Sequence, residues 1–481
     1  MIKFPANLKN TCPVGGARLP RTRFKSFFGP RRTHCPAFPT RAGGYFADPR
    51  SHFSSSLSAS PPDKTTLSKA TAAPNATAAT HVVGQPYAQF LDFRNATVGM
   101  PLESPYAITV TAGDRAQHNA TFYEFNRLYT SSRYAQALGF DDAPLPFTFV
   151  LAHAGAMSHV DSSRDVWDLG FQDAEYVRPV YAGDTLERRF YVKSLRLVSH
   201  ARSTVVLLRC ELQNQRGEVV FTVDKTMLFP GVANSSVVTA VVDAAADAAA
   251  APEMATSRGE GDARQKQGAS APSPMRDIIV KNAAHAAKVS SSRVLTPGQC
   301  ILHVPVVPLG TSRHLDFCAR FRLVHPLHAN LERHDANSLV VPGSALVALT
   351  HAATNRALFE VLHESVTEAT FLSKVRPRDN VAAVSFVEAA EDVPSGVTGR
   401  ESGLADVRVV TLAVKNVDVV RDLADCPLPV ELFTKKMWPP SEFETFVRDN
   451  VPRLAGKIAL RTTRSLLRQS VFSQEKQIPL L

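Results

Sequence analysis

Two histidines three residues apart, His325 and His328, are the side chains whose type and spacing best suit acid/base chemistry in this sequence. They belong to the segment H-P-L-H-A-N at 325–330, between an apolar-rich run at 317–324 and a Pro-Gly pair at 342–343. An imidazole titrates near neutral pH, and a proline in the turn restricts the backbone that holds it. These six residues also fit two solvated histidines on a surface turn, which is the commoner situation.

The elements that would position these histidines form two similar runs of strands around an apolar helix. In the first run, an alternating strand at 106–111 precedes an apolar stretch at 147–157 that predicts a buried helix. Strand-like segments joined by Gly-Asp and Arg-Gly pairs, which are typical of hairpins, follow at 171–180, 185–197, 203–214 and 218–229. This order predicts an α+β unit in which a curved antiparallel sheet wraps a central helix.

The same order of elements returns after an Ala-, Gly-, Ser- and Pro-rich stretch at 232–297, which predicts a linker with one helix around 276–288. The second run predicts a helix at 344–362 and strands at 300–307, 368–375, 381–389, 405–417 and 429–438. The segment 174–184 also matches 369–379, with the same spacing from Ala to Asp. Two copies of one unit predict an intrachain pseudo-dimer.

The expected organisation is a leader at 1–84, an N-terminal unit at 85–231, the linker at 232–297, a C-terminal unit at 298–440 and a helical tail at 441–481. The tail carries apolar residues at helical spacing. Its arginines are expected on a solvated helix face, with contact to an acidic carrier protein as the sharper alternative; they are Arg461, Arg464 and Arg468.

The positive charge of the chain is concentrated in its N-terminal region. Residues 1–91 carry twelve of the 54 Lys and Arg residues and two of the 44 Asp and Glu residues, so the remainder has 42 of each. A nucleic-acid partner therefore has no electrostatic support. The leader is rich in Arg, Ser and Thr and nearly free of acids, which predicts a mitochondrial transit peptide and a matrix protein; a disordered basic arm is the alternative.

Neither a metal site nor a membrane span is expected. The six cysteines are single and far apart and form no C-x-x-C pair. This spacing predicts neither a disulfide framework nor a zinc site. No apolar run approaches the roughly 20 residues that a spanning helix requires. No cofactor is expected either.

The segment Y-V-R-P-V-Y-A-G-D-T-L at 176–186, followed by N-Q-R-G-E-V-V at 214–220, resembles the MaoC-like hotdog proteins. That family includes (R)-specific enoyl-CoA hydratases and mitochondrial 3-hydroxyacyl-thioester dehydratases. The resemblance spans about 88–231 and is most specific over 134–231, whereas 298–440 preserves mainly the order of elements. It implies two fused hotdog units, often with one active site between them.

The resemblance also implies roles for particular residues. The loop H-P-L-H-A-N overlays the family pattern H-R-I-H-Y-D, so His328 is the candidate catalytic histidine, with His325 beside it. Gly343 is the candidate whose backbone N–H binds the thioester oxygen, because L-V-V-P-G-S-A-L at 339–346 overlays L-V-V-H-G-P-L-L. The candidate substrate-binding residues are Asn330, Asp316 and Ser344, and His325, Asp316 or Asn330 could replace a missing acid.

Several positions depart from the family pattern. Leu323 stands where the family has Asp or Asn, and Pro342 replaces the histidine before the glycine. In the first unit the family's acid and histidine fall on Glu124 and Tyr129, and a tyrosine does not titrate near neutral pH. The first unit is therefore expected to be non-catalytic.

The preferred function is a mitochondrial (R)-specific hydratase or dehydratase of acyl-CoA or acyl-carrier-protein thioesters, acting in fatty-acid metabolism with a degenerate acid/base pair. The alternative is an inactive hotdog protein that serves as a scaffold or subunit of a mitochondrial assembly, and a dimer is also left open. A thioesterase is the least supported hypothesis, because it needs an acidic residue on the central helix and Glu360 and Glu364 lie near the end of that stretch. All three functions are compatible with the fold, which alone does not fix function.

Overall fold

The computed structural model describes residues 96–156, 167–198, 203–229, 241–242, 273–289, 294–323, 325–331, 338–394, 401–435 and 440–470. The expected leader at 1–84 and most of the expected linker lie outside these residues.

The first unit contains a long antiparallel sheet and one fully buried helix. Its elements are β1 (Pro101–Thr109), α1 (Ala112–Phe122), α2 (Arg127–Thr130), α3 (Ser132–Ala137), α4 (Phe147–Gly155), β2 (Trp167–Tyr176), β3 (Thr185–Val198), β4 (Ser203–Gln213) and β5 (Val219–Phe229). A capping box starts α1, since the Thr111 hydroxyl accepts from the N–H of Asp114 at 3.1 Å and the Asp114 carboxylate accepts from the N–H of Thr111 at 2.9 Å. The expected four-strand meander is confirmed for its last three strands, because β3, β4 and β5 pair consecutively. It is wrong for the first strand, since β2 pairs with β5 rather than with β3.

The second unit repeats this order. After a short strand β6 (Val241–Val242) and the helices α5 (Pro274–Lys281) and α6 (Ala283–Val289), it contains β7 (Cys300–Pro308), α7 (Thr311–Arg320), α8 (Pro326–Ala329), α9 (Gly343–Asn355), β8 (His363–Phe371), β9 (Asn380–Pro394), β10 (Glu401–Lys415), α10 (Val419–Leu423), α11 (Glu431–Thr434), α12 (Pro440–Asn450), a 3-10 turn (Pro452–Leu454) and β11 (Ile458–Gln469).

The two units share one continuous sheet. Its order is β1-β3-β4-β5-β2-β8-β11-β10-β9-β7, with β6 parallel to β3. The units meet where β2 pairs antiparallel with β8, so that Gly170 lies opposite Thr370 and Glu175 lies opposite Ser365. The expected α+β fold of two fused units in an intrachain pseudo-dimer is confirmed.

The central helices α4 and α9 are buried along their whole length and pack against each other. The sequence pattern extended the second of these helices to residue 362, whereas α9 ends at Asn355. The apolar side chains beyond it are also buried, in an irregular segment that leads into β8. The sequence remains apolar beyond Asn355 because the following segment is also buried. The apolar pattern therefore gave no sign of where the helix ends.

The predicted linker contains ordered helices between the units. The helix expected near 276–288 is present as α5 and α6. The Ser273 hydroxyl donates to the carbonyl of Tyr176 in β2 at 2.9 Å, and Arg276 forms a bidentate pair with Asp406 in β10 at 2.6 and 2.9 Å. These helices therefore pin the chain onto strands from both units.

The prediction of a helical tail is wrong for the second half of that segment. Helix α12 is present, but residues 458–469 form β11, which lies inside the sheet between β8 and β10. The strand expected at 429–438 is also wrong, since Glu431–Thr434 is a helical turn. The last strand of the second unit is thus β11, and this unit extends to at least residue 469 rather than ending at 440.

The tail arginines are buried, not solvated. The Arg464 side chain, fully buried, donates to the Thr354 hydroxyl and the Asn355 side-chain oxygen, both at 2.8 Å, and forms an ion pair with Glu364. Arg461 donates to the carbonyl of Phe433 at 2.7 Å. These arginines were expected on the solvated face of a helix, but they lie on a strand and their charged groups bind partners inside the protein.

Replacing Arg464 with alanine is expected to lower the free energy of unfolding by about 3–5 kcal/mol, because the Glu364 carboxylate would lose its buried partner. Urea denaturation of the purified chain measures this change. Arg448→Ala on the exposed face of α12 is the matched control and should change stability by less than about 0.5 kcal/mol. Equal stability of the two variants would contradict the buried ion pair.

Candidate active site

A cavity of about 390 Å³ lies between the two units. It is mostly apolar, and it combines the first residues of β2 and the end of β5 with α8, the start of α9 and the segment after β8. The lining residues are Trp167, Asp168, Leu169, Leu228, His325, Leu327, His328, Val340, Val341, Gly343, Leu346, Phe371, Leu372, Ser373, Lys374 and Val375.

His328 is held by two hydrogen bonds on the single-turn helix α8. Its Nδ1 donates to the carbonyl of Val340 at 2.7 Å, and its own carbonyl accepts from His314 Nε2 at 2.6 Å. Because Nδ1 faces a carbonyl oxygen, the neutral ring carries its proton there and Nε2 keeps its lone pair. His328 therefore presents the tautomer that a general base at Nε2 requires.

The electrostatics of the cavity keep His328 neutral. Burial lowers the pKa of His328 to about 4, while the hydrogen bond to Val340 and the negative charge of Asp168 oppose this shift. The nearby His325 and His314 lower it slightly further. At neutral pH the imidazole is consequently unprotonated and able to accept a proton.

His325 has a structural role as well as a place in the cavity. It is the N-cap of α8, where its Nδ1 accepts from the N–H of Leu327 at 3.2 Å. Its ring centroid lies 5.8 Å from that of His328. With Nδ1 occupied as an acceptor, the neutral ring carries its proton on Nε2, which makes His325 a donor beside the base.

Gly343 begins α9 at the wall of the cavity. The N-cap is Pro342, and no side chain among the described residues caps this end of the helix. The backbone N–H groups of the first turn thus point a partial positive charge at the cavity. A side chain is excluded here, since a methyl group on Gly343 would overlap the ring of Phe371.

The remaining predicted residues lie outside this cavity. Ser344 is buried behind Gly343 and is not among the lining residues. Asp316 on α7 accepts hydrogen bonds from Gln117 and Arg320, both at 2.9 Å. Asn330 ends α8. The structure therefore brings together His325, His328 and Gly343, and places Asn330, Asp316 and Ser344 elsewhere.

Residues of the first unit that the sequence did not single out complete the cavity. Trp167 stacks under Lys374, whose Nζ lies 3.7 Å from the ring centroid. Asp168 forms an ion pair with the buried Lys225 at 2.9 Å. The internal repeat could have pointed to Asp168, because Asp168 is the second residue of β2 and Glu364 is the second residue of β8. A bulge after Asp168 shifts the sequence alignment of the two units by one residue, so the two acids do not align in the sequence.

The first unit carries larger side chains at the corresponding positions. Asn126 caps α2 as His325 caps α8, so Tyr129 corresponds to His328, and Phe147 starts α4 as Gly343 starts α9. Phe147 is fully buried, with its ring centroid 5.3 Å from that of Phe221 and 6.5 Å from that of Tyr176. The start of the central helix thus carries its own aromatic side chain in the first unit, whereas in the second unit the ring of Phe371 packs directly against the glycine.

Two negative findings concern the described part of the chain. Within it, no group of three His, Cys, Asp or Glu side chains is placed to hold a metal ion. Within the same residues, no helix has both the length and the apolar character needed to cross a membrane.

Sequence comparisons match parts of this chain to a dehydratase domain model and to two curated proteins. Residues 96–223 match the model of the FAS1-like dehydratase domain region. The chain is 30% identical over 135 residues to the mesaconyl-CoA hydratase of Cereibacter sphaeroides, which covers 28% of this chain and 38% of that protein. It is 38% identical over 106 residues to a UPF0336 protein of Streptomyces avermitilis, covering 20% of this chain and 68% of the relative.

Solved structures share the overall fold over most of this chain. A MaoC domain protein dehydratase from Chloroflexus aurantiacus aligns with a TM-score of 0.58 at 19% identity, over 81% of this chain and 99% of its own. A Mycobacterium tuberculosis protein with a double hotdog fold aligns with a TM-score of 0.52 at 15% identity, over 79% and 99%. The fold is a double hotdog. The chain belongs to the MaoC-like hotdog family, and it spans 38% of the length of the mesaconyl-CoA hydratase that it matches.

Gly343→Ala is expected to lower the free energy of unfolding by about 1–3 kcal/mol, because the added methyl group must displace the Phe371 ring. A smaller residue at position 371 should relieve the overlap. In a Phe371→Leu background, Gly343→Ala should therefore lower the free energy of unfolding by at least about 1 kcal/mol less than it does in the wild type. Urea denaturation of the four proteins in this cycle measures the coupling. Additive effects of the two substitutions would show that the ring does not pack on Gly343.

Proposed function

We propose that this protein is a hydro-lyase that adds water to, or removes it from, the α,β double bond of an acyl thioester. The observation that carries the proposal is that His328 and the start of α9 line one mostly apolar cavity. Hydration of an enoyl thioester requires a base beside the β-carbon and hydrogen-bond donors at the thioester oxygen. A neutral imidazole and an uncapped helix N-terminus supply both.

In this proposal, His328 Nε2 takes a proton from water while the water oxygen bonds to the β-carbon of the substrate. The electron pair of the double bond moves onto the thioester oxygen, which the N–H of Gly343 binds as an enolate. The proton then passes to the α-carbon, so one water molecule is added in total. Dehydration is the reverse of these steps. An oxyanion donor of this kind contributes about 10²–10³ in rate.

The cavity supports an apolar acyl group as the reacting part of the substrate. Leu228, Leu327 and Leu346 line it, together with the aromatic rings of Trp167 and Phe371. Lys374 adds a positive charge that suits the phosphates of coenzyme A or of a carrier-protein arm. The mesaconyl-CoA hydratase relative supports coenzyme A thioesters as the first substrates to test.

The full chain is expected to hydrate crotonyl-CoA, which is followed by loss of its enoyl absorbance. His328→Ala should lower kcat by about 10²–10⁴-fold, because the proton acceptor is removed. Tyr129→Phe is the matched control in the first unit, where the phenol oxygen has no hydrogen-bond partner among the described residues, and it should keep full turnover.

A wild-type chain without turnover on crotonyl-CoA and on a 3-hydroxyacyl carrier protein would overturn the hydro-lyase proposal. Equal turnover of the wild type and His328→Ala would overturn the role of His328. Stable copurification with a large assembly in the absence of turnover would instead favour a scaffold subunit.

We also propose that the protein acts in the mitochondrial matrix, in fatty-acid metabolism. The support for the location is the composition of residues 1–84, which are rich in Arg and nearly free of acids. The support for the metabolic role is the apolar lining of the cavity, which suits an acyl chain. A fusion of these residues to a fluorescent protein should accumulate in mitochondria, as seen by co-staining. Replacing the arginines of this segment with glutamine should abolish the accumulation, and a cytosolic signal from the unaltered fusion would contradict the proposal.

A further inference from the structure

Asp168 is the only carboxylate among the described residues that line the cavity of His328. It is the second residue of β2 and comes from the first unit, whereas His328 belongs to the second. In the sequence, the place of the family's acid in the second unit is taken by Leu323, an apolar side chain. The cavity of His328 therefore contains one acidic side chain among its described lining residues, and that side chain comes from the other half of the molecule.

A buried cation holds Asp168 in place. The Nζ of Lys225 lies 2.9 Å from Asp168 Oδ1, and the Lys225 side chain is only 2% exposed, whereas that of Asp168 is 20% exposed. The same ammonium donates to the carbonyl of Gly155 at 2.9 Å, which fixes it against the end of α4. This pairing favours the ionised carboxylate and leaves part of it accessible from the cavity.

The same arrangement occurs at the corresponding place in the second unit. Asp168 lies opposite Met227 in the β2–β5 pair, and Lys225 is two residues before Met227. Glu364 lies opposite Leu466 in the β8–β11 pair, and Arg464 is two residues before Leu466. Glu364 and Arg464 form an ion pair as Asp168 and Lys225 do. The carboxylate–cation pair is thus a repeated feature of the fold.

Each of these carboxylates acts on the side chain that corresponds to the catalytic histidine in the opposite unit. Burial is the main influence at both positions, since it lowers the pKa of His328 and raises that of Tyr129. The charge of Asp168 opposes the shift at His328, and the charge of Glu364 adds to the shift at Tyr129. Two symmetry-related acids thus influence two symmetry-related positions in the opposite units, and Asp168 and His328 line the same cavity. Of these two positions, only His328 carries a side chain that can act as a base at neutral pH. Glu364 also lies 3.4 Å from Nδ1 of the buried His351, but His351 is not among the residues that line the cavity.

We infer that Asp168 and His328 together form the acid/base pair of this site, with one member from each half of the chain. This inference deepens the proposed hydration and rests on it. His328 Nε2 takes the proton from water as the oxygen bonds to the β-carbon, and the Asp168 carboxylate stabilises the imidazolium and accepts the second hydrogen bond of the same water. The imidazolium then returns the proton to the α-carbon, and Asp168 stays ionised throughout.

The test compares the full-length wild type with Asp168→Asn. Without the carboxylate, kcat for crotonyl-CoA is expected to fall about 100-fold with KM changed less than about threefold. The pKa of His328 should also fall, because a charge that raises it has been removed, which NMR of the labelled imidazole measures. The other titratable groups acting on this ring, His325 and His314, are unchanged in the variant.

Two further variants separate catalysis from folding. Asp168→Glu keeps the charge beside Lys225 and should retain the pKa of His328 and part of the turnover. Asp406→Asn removes a carboxylate from a different ion pair, that with Arg276, and should leave both readouts unchanged. Thermal melts confirm that each variant is folded before it is assayed.

The outcomes distinguish this inference from the proposed function. Turnover that is lost in His328→Ala but unchanged in Asp168→Asn, with an unchanged pKa of His328, would overturn the pairing and leave the hydro-lyase proposal standing. An inactive wild type whose His328 pKa still falls in Asp168→Asn would overturn the proposed reaction while retaining the pairing of the two groups. An inactive wild type with an unchanged pKa would overturn both.

Discussion

The antiparallel pairing of β2 with β8 is the interaction on which the rest of the structure depends. It joins two sheets into one and sets the central helices α4 and α9 against each other. The same pairing carries the start of β2 to the turn that holds His328. The cavity therefore belongs to neither unit alone, and its walls exist only while the two strands are in register.

Buried charge secures this arrangement from within. The sheet positions that hold Lys225 and Arg464 each place a cation beside an acid that begins the neighbouring strand. Such pairs are expensive to bury and are tolerated where additional hydrogen bonds satisfy both partners, as Thr354 and Asn355 do for Arg464. The Lys225–Asp168 pair lies at the cavity that His328 lines, while Glu364 of the other pair lies 3.4 Å from the buried His351, which is not among the residues that line this cavity.

The sequence was informative where local pattern and structure coincide. The meander of the first unit, the two buried helices and the duplication follow from hydrophobic spacing and turn residues. His328 and Gly343 follow from the resemblance, and they do share a cavity. The cavity also needs Asp168 and Trp167, which are distant in sequence from these residues, and no local pattern brings them together.

The errors have physical reasons. Strand β11 was expected to be helical because apolar residues recur at helical spacing just before it, in the part of the tail that forms α12. The arginines of β11 are buried by partners in other elements, which the local pattern does not show. Asp316 is near the motif in sequence, yet its hydrogen bonds to Gln117 and Arg320 hold it on α7. A short distance from His328 in the sequence does not show whether a polar side chain is already hydrogen-bonded to residues from other elements.

Phe147 shows what fusion into a single polypeptide permits. In a homodimer of identical subunits, a glycine-to-phenylalanine exchange at the start of the central helix would alter both halves at once. In this chain, Phe147 occupies one position and Gly343 the other, and only Gly343 lines the cavity. Fusion therefore allows the two halves to differ at this position: Phe147 packs into the core of the first unit, while Gly343 lets the ring of Phe371 approach the helix backbone in the second.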